Sequence, residues 1–326
     1  MPYLVCGLTV ASEIPIPELP KAGGAAHAGV ADVRVRMGEP GASHDQIPRW
    51  FMSLTRPTGE QWLACAKEPG GYRLRFPQLA DFLVSADGRE IVCEAMPGIP
   101  LVTTRHLLLD QVIPLVLNLR GHEALHATAV LTPDGMCAFI GPTGAGKSTL
   151  AASFLFSGCP VLSDDCLVLE DSHGAILATP AYPGIRLWDD ALVALGDDAP
   201  PLQPVAHYSL KRRVGTGGKG TFPLTREPLA RIYDLGQPYE SIDRRRNGQA
   251  PIEGMTLRDQ FMTLVASLFR LDISDRSMLA RQFDFAEKVV SRVPIRRLHL
   301  PLGFSSLPAV REAILADLRQ PLPEMA

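Results

Sequence analysis

Apolar and polar residues alternate through much of the first hundred positions. They do so strictly in VRVRM at 33–37 and YRLRF at 72–76, and more loosely in DFLVS at 81–85. A period of two is typical of strands with one buried face. EIVCEA follows DFLVS after an Asp-Gly turn, which predicts a hairpin over residues 81–95. We therefore predict a small β-rich domain over residues 1–100.

The pattern changes near residue 103, where apolar residues take up helical spacing. TTRHLLLDQVIPLVLNLRG predicts a helix that ends at Gly121 and that Pro114 either kinks or begins. Beyond it we predict strands at 126–131, 136–141, 160–165, 167–171, 175–180, 232–235 and 295–300, and helices at 147–157, 257–271, 276–292 and 307–318. This mixture predicts an α/β domain over residues 101–326.

Composition narrows the classes of function. The formal net charge is −3 and only 6% of residues are aromatic, which argues against a general nucleic-acid binder. The six cysteines include no C-x-x-C pair, as expected for reduced thiols in a cytosolic protein. The first twenty residues do not resemble a signal peptide, and the most apolar stretch, residues 107–119, is too short and polar to span a bilayer. We expect a soluble, cytoplasmic protein with no membrane partner.

The strongest signal in the sequence is a glycine-rich loop. GPTGAGKS matches G-x-x-x-x-G-K-[ST] at every position, between a predicted strand and a predicted helix. Glycines let backbone N–H groups surround phosphate oxygens, and the helix adds the positive end of its dipole. In such loops the lysine reaches the terminal phosphates and the serine binds Mg²⁺. The predicted nucleotide-binding residues are Gly141, Pro142, Thr143, Gly144, Ala145, Gly146, Lys147 and Ser148.

Two aspartates end the next predicted strand. One helix and one return strand fit between Lys147 and Asp164, so Asp164 and Asp165 are expected beside the loop. One carboxylate there can hold Mg²⁺, and the other can accept the proton of an attacking hydroxyl. An ordinary Asp-Asp surface turn is the alternative.

A histidine precedes the loop. His126 opens the strand HATAVL, whose hairpin with the next strand would bring the imidazole towards Asp164 and Asp165. There it could orient or polarise one carboxylate. The alternative is a strand-end histidine with one satisfied hydrogen bond.

These features together resemble a known family. The run ALHATAVLTPDGMCAFIGPTGAGKSTLAASFLFSGCPVLSDDCLVLE is similar to the core of HPr serine kinase/phosphorylase, over residues 123–190. That family has a histidine at a strand start, a hairpin, a P-loop, a helix and an aspartate pair, and its core is related to ATP-dependent phosphoenolpyruvate carboxykinase. The resemblance implies an α/β, P-loop nucleotide-binding domain of this type, preceded by the small β-rich domain.

The β-rich leader and the piece PAYPGIRLW look more like the HPr-kinase-related proteins of bacterial peptide-modification clusters. Some of these are lasso-peptide precursor kinases, which phosphorylate a serine near the precursor's C-terminus. The resemblance implies an ATP- and Mg²⁺-dependent serine kinase whose partner is a peptide or protein with an acceptor serine. HPr kinases are oligomers, so a homo-oligomer remains open.

The resemblance also implies roles for individual residues. Residues 141–149, including Thr149, would bind ATP, Lys147 would contact the transferred phosphate, and Ser148 would bind Mg²⁺. Asp165 would be the general base.

In the same comparison Asp164 would lie nearer the metal, and His126 would support the aspartate pair. Which aspartate takes which role stays open.

The sequence departs from the family at one metal-binding position. HPr kinases carry a glutamate before an Ile-Arg-Gly piece, and it helps to hold the metal. Here Gly184 stands at that position, while Arg186 is retained and is a further candidate catalytic residue. Metal coordination would then be weaker or completed from elsewhere. The family's later signature for the reverse, phosphorolytic reaction is also absent, so the resemblance implies neither that reaction nor HPr itself as the substrate.

Three other interpretations compete with a peptide kinase. A small-molecule kinase or carboxykinase-like enzyme would use the same loop, although a carboxykinase needs additional Lys and His ligands for a second metal. A non-catalytic nucleotide sensor needs only the loop. An ABC-type transport ATPase has a similar loop, but also an LSGGQ-type signature that this sequence lacks.

Two further segments downstream are ambiguous. Residues 211–213, Lys-Arg-Arg, could meet phosphate charge in the transition state or form a solvated strand end. GTGGKG at 215–220 lacks a strand–helix frame, and we interpret it as a loop that could close over substrate.

Overall fold

The computed structural model describes residues 2–23, 30–40, 49–56, 58–195, 204–215, 222–223, 225–236, 252–270, 272–301 and 303–320. Apart from Gly215, the segment GTGGKG therefore lies outside the described residues. The chain forms two compact units. The first comprises Met1–His122, Pro204–Ser209 and Phe269–Ala280, and the second comprises Glu123–Gln203, Leu210–Leu268 and Arg281–Ala326.

The first unit contains a mixed β-sheet. Its strands within the described residues are β1 Tyr3–Val5, β2 Leu8–Ser12, β3 Val33–Met37, β4 Trp50–Thr55, β5 Gln61–Glu68, β6 Gly71–Phe76, β7 Ala80–Ser85 and β8 Glu90–Ala95. Their order in the sheet is β1-β2-β3-β8-β7-β6-β5-β4. β3 runs parallel to β2 and β8, and the other neighbours are antiparallel. The strands expected at 33–37 and 72–76 and the hairpin over 81–95 are confirmed.

The helix expected after residue 103 is interrupted. It consists of α1 Leu101–Leu107, a π-helical turn Leu108–Val112, and α2 Ile113–Leu119. Pro114 occupies the first turn of α2, directly after the π-helical turn, and its missing N–H interrupts the hydrogen-bond ladder of the continuous helical segment there. This segment clusters with the first unit, whose first stretch extends to His122. The helical spacing of apolar residues in this segment shows that one face must be buried. It does not show which part of the chain packs against that face.

The second unit contains another mixed sheet and a two-stranded ribbon. The sheet strands are β9 Glu123–Leu125, β10 Thr128–Thr132, β11 Gly135–Ile140, β12 Val161–Ser163, β13 Leu167–Ser172, β14 Ala175–Thr179, β17 Glu227–Asp234, β18 Ile252–Gly254 and β19 Ile295–Leu298. The ribbon pairs β15 Ile185–Leu187 with β16 Arg212–Val214. The helices are α3 Lys147–Leu155, α4 Asp189–Leu195, α5 Leu257–Ser267, α7 Leu307–Leu318 and α6 Arg276–Val290, of which the residues from Arg281 onwards belong to this unit.

Helices cover both faces of this sheet. Along β11, Met136, Ala138 and Ile140 join a buried cluster with residues of α5 and α6. The intervening Cys137 and Phe139 join another with residues of α3 and α7. Burial on both faces explains why this strand is a continuous apolar run without polar alternation. The described part of the chain is thus a mixed α/β protein.

The directions of the strands determine which strand ends lie together at one edge of the sheet. β10 pairs antiparallel with β11 on one side and with β12 on the other. β11 and β12 therefore run in the same direction, with the reversed β10 between them. Their carboxyl ends and the amino end of β10 lie at one edge of the sheet. This brings the segment after β11, the segment after β12 and the segment before β10 together. β17, parallel to β11, ends at the same edge.

No helix within the described ranges is both long and apolar enough to cross a membrane.

A buried ion-pair cluster joins α7 to this sheet. The Asp317 carboxylate lies 3.2 Å from Arg231 Nε and accepts a hydrogen bond from the Tyr233 hydroxyl at 2.9 Å. Arg296, on β19, also pairs with it. Asp317 and Arg231 are both buried. Removing one partner of a buried pair leaves the other charge uncompensated.

We predict that Asp317→Ala lowers the free energy of unfolding by about 3–5 kcal/mol. The matched control is Glu170→Ala, which breaks an exposed pair with Arg226 and should cost less than about 1 kcal/mol. Urea denaturation followed by circular dichroism measures both. Equal losses in the two variants would contradict the importance of the buried cluster.

Candidate functional site

The glycine-rich loop joins β11 to α3, as the sequence predicts. The strand ends at Ile140 and the helix begins at Lys147. Gly146 precedes the helix with a φ of +96°, in the left-handed region, and a Cβ there would lie 2.9 Å from Leu300. Both facts favour glycine at this position. Ala145 differs from its loop neighbours, because it packs into the core cluster beside α3.

Lys147 is folded back across the loop. Its side chain is buried, and its ammonium group donates hydrogen bonds to the carbonyl oxygens of Gly141 at 2.7 Å and Pro142 at 3.1 Å. Burial lowers the pKa of Lys147, while the carboxylates of Asp165 and Asp164 oppose this effect. An anion bound in the loop would therefore lie near a partly desolvated cation, the Lys147 ammonium group.

Asp164 lies at the centre of the hydrogen-bond network. One carboxylate oxygen accepts bonds from the hydroxyls of Ser148 at 2.8 Å and Thr128 at 3.0 Å. The other accepts the backbone N–H of Arg186 at 2.9 Å. Burial raises the pKa of Asp164, and the adjacent Asp165 carboxylate raises it further. A nearby cation would reverse this effect by favouring the charged form.

Asp165 faces different partners. Its φ is +70°, which is uncommon for a residue with a side chain. One carboxylate oxygen accepts a hydrogen bond from the Arg186 guanidinium at 2.8 Å, and the other lies 3.9 Å from Nε2 of His126. The left-handed turn thus separates two adjacent carboxylates. Asp164 is buried beneath Ser148, and Asp165 lines the cavity described below.

His126 lies in the short connection between β9 and β10, and not in the strand that the sequence predicts to begin there. Its backbone N–H donates to the carbonyl oxygen of Ser267, at the end of α5, at 2.7 Å. Burial lowers the pKa of His126, and Asp165 opposes this effect. Lowering from a reference value near 6.5 favours the neutral imidazole at neutral pH.

Gly184 directly precedes the ribbon strand β15, in a backbone conformation that favours glycine. Gly184 has a φ of +113°, and a Cβ there would lie 3.2 Å from Cγ of Arg213. A glutamate would be strained in this conformation and would displace its neighbour. Two residues on, Arg186 is buried and donates a hydrogen bond to the Tyr182 hydroxyl, which helps to fix its guanidinium beside Asp165.

Two adjoining cavities border the loop. The smaller, about 230 Å³, brings together His126, Lys147, Ser148, Asp165 and Arg186. The loop and helix residues Thr143, Gly144, Gly146 and Thr149 also line it, with Leu187, Trp188 and Lys211 on the ribbon side.

The larger cavity, about 490 Å³, shares His126 and Thr143 with the smaller one. It extends past Gly141 and Pro142 towards Asp234 and Arg297, whose charged groups pair at 3.1 Å.

Sequence reasoning missed several of these residues. Thr128 follows His126 by two positions, and Trp188 follows Arg186 by two, so strand periodicity could have suggested them. Tyr182 has no such signal. Lys211, which the sequence leaves ambiguous, lines the smaller cavity.

The oxygen donors suit a Mg²⁺ ion bound together with phosphates. Ser148 Oγ and an oxygen of Asp164 converge at 2.8 Å. Mg²⁺ in nucleotide sites commonly takes one or two carboxylates, with phosphates and waters completing its octahedron. Among the residues that the structure describes, no three His, Cys, Asp or Glu side chains gather into a metal site. Two protein oxygens, from Ser148 and Asp164, fit an ion whose remaining ligands come from phosphates and water.

Comparisons with known proteins give limited results. No family model matches the chain, and no curated protein matches its sequence. Among solved structures, it is similar to the Hpr(Ser) kinase/phosphatase from Coxiella burnetii, with 12% identity and a TM-score of 0.31. That match covers 60% of this chain and 97% of the other.

We predict that Gly184→Ala lowers the free energy of unfolding by about 1–3 kcal/mol, because it combines backbone strain with crowding against Arg213. Gly174→Ala is the matched control, since Gly174 has a φ of +88° and no atom lies within 4 Å of the position that a Cβ would take. Thermal and urea denaturation compare the two. A smaller loss in Gly184→Ala than in Gly174→Ala would show that a side chain at position 184 is not disfavoured in this way.

Proposed function

We propose that the protein is an ATP-dependent kinase that transfers the γ-phosphate to a hydroxyl group. The acceptor we propose is a serine of a protein or of a ribosomally made, lasso-type peptide precursor. One observation carries the proposal: Ser148 and Asp164 meet beneath a loop that holds Lys147, while Asp165 faces the same cavity. The acceptor class rests on the sequence resemblance alone.

The loop and its helix would hold the triphosphate. Backbone N–H groups between Thr143 and Ser148 would surround phosphate oxygens, and Lys147 would exchange its carbonyl partners for the terminal phosphates. Ser148 and Asp164 would hold Mg²⁺, which when bound neutralises charge on the phosphates. Thr128 and the backbone N–H of Arg186 keep Asp164 in place for this role.

Asp165 would act as the general base. It would accept the proton of the acceptor hydroxyl while the new oxygen–phosphorus bond forms, and the bond between the γ-phosphorus and the bridging oxygen breaks to release ADP. Arg186 fixes one oxygen of this carboxylate, which leaves the other near His126. The different surroundings of Asp164 and Asp165 favour different tasks for the two residues.

The larger cavity would admit the acceptor. It meets the smaller cavity at His126, close to Asp165, and begins at the loop residues nearest the Lys147 ammonium group. A hydroxyl entering there would approach the terminal phosphate from the side opposite the rest of the nucleotide. Its volume of about 490 Å³ leaves room for a side chain with flanking groups.

We predict that Asp165→Asn lowers the rate of phosphate transfer by about 10²- to 10⁴-fold, the usual contribution of a general base. Mg-ATP affinity, measured by calorimetry, should change little, because the binding groups remain. Lys147→Ala is the comparison variant and should weaken Mg-ATP binding itself. Full turnover by Asp165→Asn would refute its role as base.

An assay with ATP labelled at the γ-phosphate can identify the acceptor. We expect label to enter a serine of a candidate precursor peptide, as located by phosphopeptide mapping, and Ser→Ala in that peptide to abolish it. Label entering only metabolites would indicate a small-molecule kinase instead. Binding of Mg-ATP without transfer to either pool would favour a nucleotide sensor.

A further inference from the structure

An exposed tryptophan lies beside the glycine-rich loop. Trp188 directly follows β15, and 48% of its surface is exposed. It lines the smaller cavity together with Ser148 and Thr149. Tryptophan offers a large apolar ring, and such rings are favoured where a partner stacks on them.

The ribbon pairs this tryptophan with a lysine. Leu187 is opposite Arg212 in the register, so the next positions outward are Trp188 and Lys211. The Lys211 ammonium nitrogen lies 5.6 Å from the centre of the Trp188 ring, within the range of a cation–π contact. Lys211 also lines the smaller cavity.

The alternation of side chains along β15 places Trp188 on the same side as Arg186, towards the site. Ile185 and Leu187 are buried in the core cluster of α3 and α7. Side chains two positions apart share a face of a strand, so Trp188 lies on the same face as Arg186. Arg186 reaches Asp165 from that face. Arg186 and Trp188 therefore form a row on the ribbon side of the cavity, with Trp188 at its outer end.

The loop gives a bound nucleotide a direction. Loops of this type hold the α- and β-phosphates with backbone N–H groups, and their lysine reaches the β- and γ-phosphates. The Lys147 ammonium group lies at the start of the loop, against the carbonyls of Gly141 and Pro142. The nucleoside end should therefore leave towards the first turn of α3, at Thr149, which borders the same cavity as Trp188.

We propose that Trp188 stacks on the base of the bound nucleotide and that Lys211, over the same ring, meets its phosphates. This inference rests on the proposed nucleotide-binding function and adds the residues that recognise the nucleoside. Stacking is tolerant of base identity, because every base presents a π-face. The site should accept ATP and GTP with similar affinity.

Calorimetry with two ligands tests the stacking. Mg-ATP carries a base, whereas inorganic tripolyphosphate with Mg²⁺ carries only the phosphate chain. We expect Trp188→Ala to weaken Mg-ATP binding on the order of tenfold and to leave tripolyphosphate binding unchanged. Trp188→Phe should retain most of the Mg-ATP affinity. Lys211→Met, which keeps an apolar stem, should weaken binding of both ligands.

Tryptophan fluorescence gives an independent readout. The other two tryptophans, Trp50 and Trp62, belong to the first unit. Mg-ATP should quench the fluorescence of the wild-type protein, and Trp188→Phe should lose most of that quenching. Circular dichroism of each variant confirms that the half-exposed position tolerates substitution.

The outcomes separate this inference from the proposed function. Wild-type protein that binds neither ligand would overturn both. Wild-type protein that binds both, with Lys147→Ala binding neither, supports the nucleotide site. If Trp188→Ala then binds Mg-ATP as tightly as the wild type, stacking is refuted. Stacking on the base is also refuted if Trp188→Ala raises only the KM for a peptide acceptor. That result would indicate that Trp188 contacts the peptide.

Discussion

The candidate site depends on the hydrogen bonds that the buried carboxylate of Asp164 accepts. This carboxylate accepts hydrogen bonds from the first turn of α3 through Ser148, from β10 through Thr128, and from the ribbon through the backbone N–H of Arg186. A carboxylate removed from water is costly unless such donors surround it. Three segments that are distant in sequence are thereby fixed against one another beside the glycine-rich loop. Burial raises the pKa of this carboxyl, and a cation bound beside it would favour the charged form, at a position where the hydrogen-bond network is already assembled.

Cations outnumber carboxylates around the smaller cavity, because Lys211 lines it together with Lys147 and Arg186. Lys147 and Arg186 face Asp164 and Asp165, and the two aspartates differ in exposure and partners. The left-handed conformation of Asp165 allows this division, because the chain turns between the two carboxyl groups. Strain of this kind is often found where a side chain is held for chemistry and not for packing. Burial lowers the pKa of His126, which favours an uncharged imidazole beside these groups.

The sequence predicted the parts with strong local signals. The strand–loop–helix frame around Lys147 follows from one apolar run and a glycine pattern, and the hairpin over 81–95 from alternation and an Asp-Gly turn. The convergence of Asp164 with Thr128 depends on β10 lying reversed between β11 and β12, and local patterns do not encode strand order. The same limit explains the helical segment after residue 100. Its apolar residues show that it is buried, but not that it belongs with the first unit.

Position 184 illustrates another limit. The sequence shows a glycine there, and only the backbone conformation shows why a side chain is disfavoured. The row of Arg186 and Trp188 likewise becomes visible only when the ribbon register is known.

A crystal structure with Mg²⁺ and a non-hydrolysable ATP analogue tests the central claim most directly. The account predicts phosphate oxygens within hydrogen-bond distance of the loop N–H groups. It also predicts that the hydrogen bond between Ser148 and Asp164 is replaced by a shared Mg²⁺ ion, with Asp165 facing the terminal phosphate. An analogue bound elsewhere, or a Ser148–Asp164 hydrogen bond that persists beside an occupied loop, would contradict it.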